Sequence, residues 1–328
     1  MLTLLEGLGA RAQTWARSAE PWTNVYGVAR SLIALSTAAT LLANHTSTLF
    51  IPAAGGVKAP LCTGVRGAGF YCLMPETHLE LARWIAVALL LLVASGWRPR
   101  LTGVVHAWLA FSLQANALMI DGGDNAAAVL ALLLVPVTLT DPRRWHWQKA
   151  PPAARTTRDD ALRLVALVTL TAVRVQVAGI YFHASIGKFG VEEWTNGTAV
   201  YYFSQSPIFG ASGVVSSLLR PLVVSAIGVT AITWSVLVLE YLLSAALVMP
   251  KRAWGALLVM GIGLHAGIIA IHGLWSFSTV MFGALVLYLR PPERAFEVER
   301  LLFVLRRVFS AALVAIRPTA PARAESAS

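Results

Sequence analysis

Three residues that can carry a charge or a proton fall seven positions apart in one apolar stretch: Arg174, Tyr181 and Lys188. Seven residues are close to two helical turns, so the three share nearly one face of a helix. An arginine inside an apolar segment is costly unless it faces a bundle interior or a wet cavity, which makes Arg174 a functional candidate. Its expected partner is Glu240, the acidic residue set in the middle of another apolar stretch. The alternative is a buried pair that only fixes helix register. Lys188 is followed by Glu192, Glu193 and Trp194. In a partly dry pocket beside a second cation, a lysine becomes a base near neutral pH; beside a glutamate it stays charged and structural. The spacing leaves both open.

Beyond Lys188 comes a turn dense in aromatic and amide groups: Trp194, Asn196, Gly197, Tyr201 and Tyr202. These would make a good wall for a flat ring or a peptide. They suit an anchoring belt at a membrane–water interface equally well, and Asn196-Gly197 also suits a plain turn. Asp124 and Asn125 close a tight acidic turn that begins at Asp121. Asp124 either caps the following helix or joins the site. His265 and His272 share a helix face, with Gly263 and Gly267 offering a small-residue packing surface. At about 10 Å along the axis the two histidines are too far apart to chelate one metal, so no metal site is expected. His106, Gln114 and Asn116 either line the same interior or hydrogen-bond between helices.

The elements that must position these residues follow from composition. Of 328 residues 57% are hydrophobic and 13% charged, against about a quarter charged in soluble domains. The expected fold is an all-α integral membrane protein, a polytopic bundle of about eight transmembrane helices. A span needs roughly 20 mainly apolar residues. The spans fall at 26–44, 79–96, 101–120, 125–140, 161–185, 221–249, 253–272 and 275–289. Segment 1–25 suits an amphipathic helix on the membrane surface, with a frayed terminus as the alternative, and carries no cleavable signal pattern. The loop at 45–78 and the motif turn at 185–220 interrupt the spans. A basic amphipathic tail, 291–328, ends in an Ala/Pro/Ser stretch expected to be disordered.

With a cytoplasmic amino terminus, the inside segments hold Arg11, Arg17, Arg98, Arg100, Lys251, Arg252, the tail arginines and five basic residues of the 141–160 connector. The outside segments hold only Lys58, Arg66, Lys188 and Arg220. That is the positive-inside asymmetry, and it places both termini in the cytoplasm of a bacterial cell membrane. It also accounts for the net charge of +10 without a nucleic-acid partner. Cys62 and Cys72 then fall in the first outside loop, where a disulfide is expected and two free thiols are the alternative. Walker, His-Glu-x-x-His, Gly-x-Ser-x-Gly and Cys-x-x-Cys patterns are missing from the sequence, which argues against the corresponding enzymes.

Arg174-Val-Gln176, Ile180-Tyr181-Phe182, Lys188-Phe189, Trp194 and Asn196-Gly197-Thr198 together resemble the signature of the horizontally transferred transmembrane (HTTM) family. That family includes the sporulation-delaying-protein B group and is similar to the membrane part of vitamin K-dependent γ-carboxylases. The resemblance is densest from Arg174 to Tyr202, with 121–125 and 263–281 as looser matches. It implies a lysine base at Lys188 that deprotonates reduced vitamin K, with Tyr181 and Arg174 beside it. It also adds Gln176, His183, Asp124, Asn125, Glu240 and His265 to the groups that would bind substrate or a reduced quinone. Two departures stand out. Gly187 replaces a second lysine of the carboxylases, and their large lumenal domain has no counterpart in this short chain. The resemblance therefore implies a membrane maturation factor or enzyme acting on a secreted, toxin-type peptide precursor together with a small accessory protein. The rival is a non-enzymatic quinone- or lipid-binding, immunity or transporter-like protein.

Overall fold

The computed structural model describes residues 2–52 and 59–297. Lys58 and the tail from residue 298 lie outside the described residues. The residues up to Arg294 form one compact unit. Its helices run in chain order as α1 (Leu2–Ser18), α2 (Asn24–Ala43), α3 (Thr46–Leu49), α4 (Leu79–Ser95), α5 (Pro99–Asn116), α6 (Gly122–Leu133) and α7 (Val135–Thr140). They continue as α8 (Thr157–Lys188), α9 (Glu192–Thr195), α10 (Ala199–Ser204), α11 (Gly213–Val223), α12 (Ala226–Ala245), α13 (Lys251–His272) and α14 (Trp275–Leu289). The protein is an all-α polytopic membrane protein. Every expected span coincides with a helix or a broken helix, and among the described residues six helical segments are long and apolar enough to cross a bilayer.

The differences from the expected spans have local causes. Pro136 removes a helical N–H, and the fourth span breaks into α6 and α7 around Leu134. The sixth divides at Val224–Ser225, where the Ser225 hydroxyl accepts from the Gly228 N–H and starts α12. A Cβ at Gly228 would lie 2.3 Å from the Leu222 carbonyl oxygen, so glycine is what permits that turn. The fifth becomes the 32-residue α8, about 48 Å long and well beyond a 30 Å hydrocarbon core. Its first turns pack on α1 through Arg17, which donates to Asp160 at 2.6 Å, and Arg163 pairs with Glu20 at 3.0 Å.

The centre of the bundle is α2 against α14. Small residues let the two approach: a Cβ on Gly283 would meet the Ala29 carbonyl at 2.9 Å and Ile33 at 3.0 Å. Ala29, Ile33, Ala284 and Leu285 are fully buried. Between apolar helices in lipid, such close packing does the work that hydrophobic burial does in water. Around α2, α4 adds Ala82, Ala86 and Leu90, all fully buried.

The disulfide expected between Cys62 and Cys72 is present. Its loop docks along the second half of α5, where the Asn116 amide donates to the carbonyls of Leu61 (2.8 Å) and Arg66 (2.9 Å), and Trp108 donates to Ala68 at 2.9 Å. Asn116 thus serves the loop and not the interior of the bundle.

At the other end, the connector is not a solvated loop throughout. Its first residues fold inward, and Arg143 pairs with Asp141 at 2.7 Å with both side chains buried. Arg30 donates to Thr102 at 2.6 Å and lies 3.4 Å from Nδ1 of His146. A Cβ on Gly96, at φ +87°, would overlap the His146 ring, so this glycine both ends α4 and admits the connector. Burial first, then the charges of Arg30 and Arg143, push the His146 pKa down to about 2.

Candidate functional site

Lys188 ends α8, and its side chain leans back along the helix, as helical side chains do. Nζ donates to both carboxylate oxygens of Glu240, at 2.7 and 2.9 Å, and to the Ala184 carbonyl at 3.2 Å. The Trp194 ring lies 5.1 Å from Nζ, in cation–π range. The lysine therefore turns into the bundle instead of snorkelling outward.

This corrects the expected pairing of Arg174 with Glu240. Glu240 meets α8 near Ala184, whereas Arg174 lies ten residues, about 15 Å, nearer the connector end. There Arg174 donates to the Leu287 carbonyl at 3.4 Å and stands over Trp254 at 5.2 Å. Leu287 is the third-last residue of α14, so Arg174 sits at that end of the bundle and not at its middle.

Tyr181 and His265 are joined at 3.0 Å between the Tyr181 hydroxyl and His265 Nε2, both side chains buried. Neither lines the cavity that Lys188 and Glu240 face. The Tyr–His contact ties α8 to α13 just behind it.

That cavity has a volume of about 650 Å³ and lies among α8, α12, α13, the 194–209 segment and the start of α14. Its wall is apolar except for Lys188, Glu240, Asp121 and His272. Trp194, Phe203 and Phe277 supply aromatic faces. Gly263 and Gly267 line it too, and a Cβ on either would meet nothing within 4 Å. The glycine pair expected to pack helices instead leaves the space open.

Asp121 was legible only as the start of a turn. It caps α6, accepting from the N–H groups of Gly123 (2.7 Å) and Asp124 (3.0 Å), and Asp124 returns the bond to the Asp121 N–H. A Cβ on Gly123 would come within 2.6 Å of Phe277 Cα. This close seat against α14 turns Asp121 toward the cavity, while Asp124 goes the other way, buried and bonded to Thr40 at 3.0 Å. Asn125 accepts from Gln114 at 3.3 Å beside the cap.

The other expected residues fall outside the cavity. Asn196 accepts from the N–H and hydroxyl of Thr198 and builds the turn. Gly197, at φ +85°, brings that turn onto Thr230 of α12. Tyr201 and Tyr202 meet edge to face on the exposed side. His183 is exposed, and half-buried Gln176 lies just past the middle of α8. Sequence reasoning missed Phe203 and Phe277 as wall residues. The only signal for Phe203 was its place directly after the marked Tyr202.

Fold and site together define a polytopic helical membrane protein with an ion pair set in the wall of an apolar cavity. Comparison with known proteins narrows this class. The chain is 37% identical over 276 residues to the sporulation-delaying protein SdpB of Bacillus subtilis, covering 84% of this chain and 83% of SdpB. It is 41% identical over 305 residues to the uncharacterized protein YitO of the same organism, covering 92% of this chain and 96% of YitO. The chain belongs to the family of SdpB. No family model matches it and no solved structure matches it. These comparisons do not show the resemblance to HTTM proteins and γ-carboxylases expected from the residue pattern around Lys188.

Proposed function

We propose that this protein is a membrane-embedded maturation factor in a secreted-peptide pathway, handling a toxin-type precursor with a small accessory protein at the outer face of the cell membrane. Its relative SdpB is by name a sporulation-delaying protein. The observation that carries the reading is the Lys188–Glu240 ion pair, 2.7 Å long, facing an apolar cavity of about 650 Å³. A segment of peptide in that cavity would lay its apolar side chains on the walls and bring a polar group to the pair. Buried polar groups next to a binding space fix orientation and register, and apolar walls supply the contact.

Lys188 enters this proposal as the donor of an ion pair. The base reading called for a neighbouring cation, and the neighbour is Glu240. Carboxylation and a reduced quinone form no part of the proposal, although the aromatic wall would accept a flat ring.

The test compares intact masses of secreted peptides from a deletion strain of the native host complemented with wild type, Lys188→Met or Glu240→Gln. The expected outcome is a mature peptide with wild type and at least a tenfold loss with either variant, equivalent to about 1.4 kcal/mol in the limiting step. Full rescue by both variants, at equal protein level, would remove the ion pair from the function.

A further inference from the structure

The occupant of the cavity can be narrowed by counting hydrogen-bond capacity in its wall. An ammonium has three donors, and all three of Lys188 are used, on Glu240 Oε1, Glu240 Oε2 and the Ala184 carbonyl. Its remaining side faces the Trp194 ring. No N–H is left for an incoming anion. The carboxylates are in the opposite condition. A carboxylate offers about four acceptor sites, and Glu240 uses one on each oxygen. Asp121 accepts two backbone N–H groups on Oδ1 and the Ser276 hydroxyl on Oδ2 at 3.3 Å. Among the described residues no basic side chain pairs with it. The fourth polar wall residue, His272, is directed by Nδ1 to the Phe209 carbonyl at 2.7 Å. The wall thus holds two carboxylates and one ammonium whose bonds are already made.

We propose that the cavity binds a primary ammonium carried on an apolar body, with the ammonium donating to Glu240 and Asp121 and the body lying along Gly263, Gly267 and Phe277. This rests on the reading of the cavity as the substrate site and names the chemistry it selects. A peptide amine and an aminolipid headgroup share that chemistry.

The full-length protein is placed in phosphatidylcholine nanodiscs, and binding of dodecylammonium and of dodecanoate is followed by thermal shift, with empty discs as control. Dodecylammonium is expected to bind at least tenfold more tightly. Asp121→Asn, which keeps a capping side chain, should erase most of that preference. Glu240→Gln frees Lys188 and should turn the preference toward dodecanoate. Gly267→Leu fills the space and should abolish both. Equal or tighter binding of dodecanoate to wild type, an unchanged preference in Asp121→Asn, or no binding of either probe would overturn the proposal. Replacing part of the lipid with phosphatidylethanolamine weakens dodecylammonium binding if a lipid headgroup is the natural occupant and leaves it unchanged if a peptide amine is. The secreted-peptide masses answer separately: a response to Lys188→Met without any amine preference would sink this inference and spare the maturation role.

Discussion

Arg143 and Asp141 at the connector end, and Lys188 and Glu240 at the opposite end, are ion pairs of the same chemistry in different settings. The first pair is 1% and 0% exposed, and Arg143 also donates to the carbonyls of His146 (2.7 Å) and Gln148 (3.0 Å). The second is 22% and 11% exposed and borders open space. Where every neighbour of a buried charge is another group of the protein, the charges hold the chain together. Where a cavity adjoins the pair, its unused lone pairs are available to a ligand. The setting, more than the residue types, separates a structural ion pair from a candidate site.

The sharpest way to break this comparison is to remove one acid from each pair. Asp141→Ala leaves a buried arginine unpaired, and a loss of about 3–5 kcal/mol is expected. Glu240→Ala leaves Lys188 beside a cavity that water can enter, so about 1 kcal/mol is expected, near the range of exposed pairs. Thermal unfolding of both variants in the same detergent measures the difference. Equal losses would mean that the cavity end is as tightly sealed as the connector end.

A second test separates the two ends through the disulfide. Cys72→Ser opens a ten-residue link on the cavity side of the bundle and should cost about 2–3 kcal/mol. Hydrogen exchange should rise in the 61–73 loop and at the end of α5, and stay unchanged at 141–148. Loosening at both ends would contradict their independence.

The smallest effect is graded by pH. His146 is held neutral with a pKa of about 2, below the ordinary value of about 6.5. The unfolded chain takes up a proton below pH 6.5 while the folded chain does not. The stability this group contributes is thus full above pH 6.5 and is lost as pH falls, by up to about 1.4 kcal/mol per pH unit. The melting temperature of wild type should fall between pH 7 and pH 5, and His146→Asn should be less stable at pH 7 with a flatter profile. Parallel profiles for the two proteins would remove His146 from the account.

Much of the architecture was legible because it rests on local chemistry. Runs of about 20 apolar residues marked the spans, Asp121-Gly-Gly-Asp124 marked a capped helix start, and two cysteines in one loop marked a disulfide. Lys188, Trp194 and Glu240 were also legible as unusual residues, since charge and indole in an apolar chain need a reason. Their partners were not. Spacing of seven grouped Arg174, Tyr181 and Lys188, and the structure sends them to three places: the end of α14, a histidine on α13, and the cavity.

What the sequence determined by itself was which segments form apolar helices and which residues are expensive to bury, because hydropathy and desolvation are properties of a residue and its near neighbours. Only the tertiary structure decided that Glu240 belongs to Lys188, that Gly263 and Gly267 border open space, and that Asp121 turns toward it. Those outcomes depend on the vertical register of α8 against α12 and on the seat of α6 against α14. Register is set by contacts between residues tens to more than a hundred positions apart, which no periodicity along the chain records.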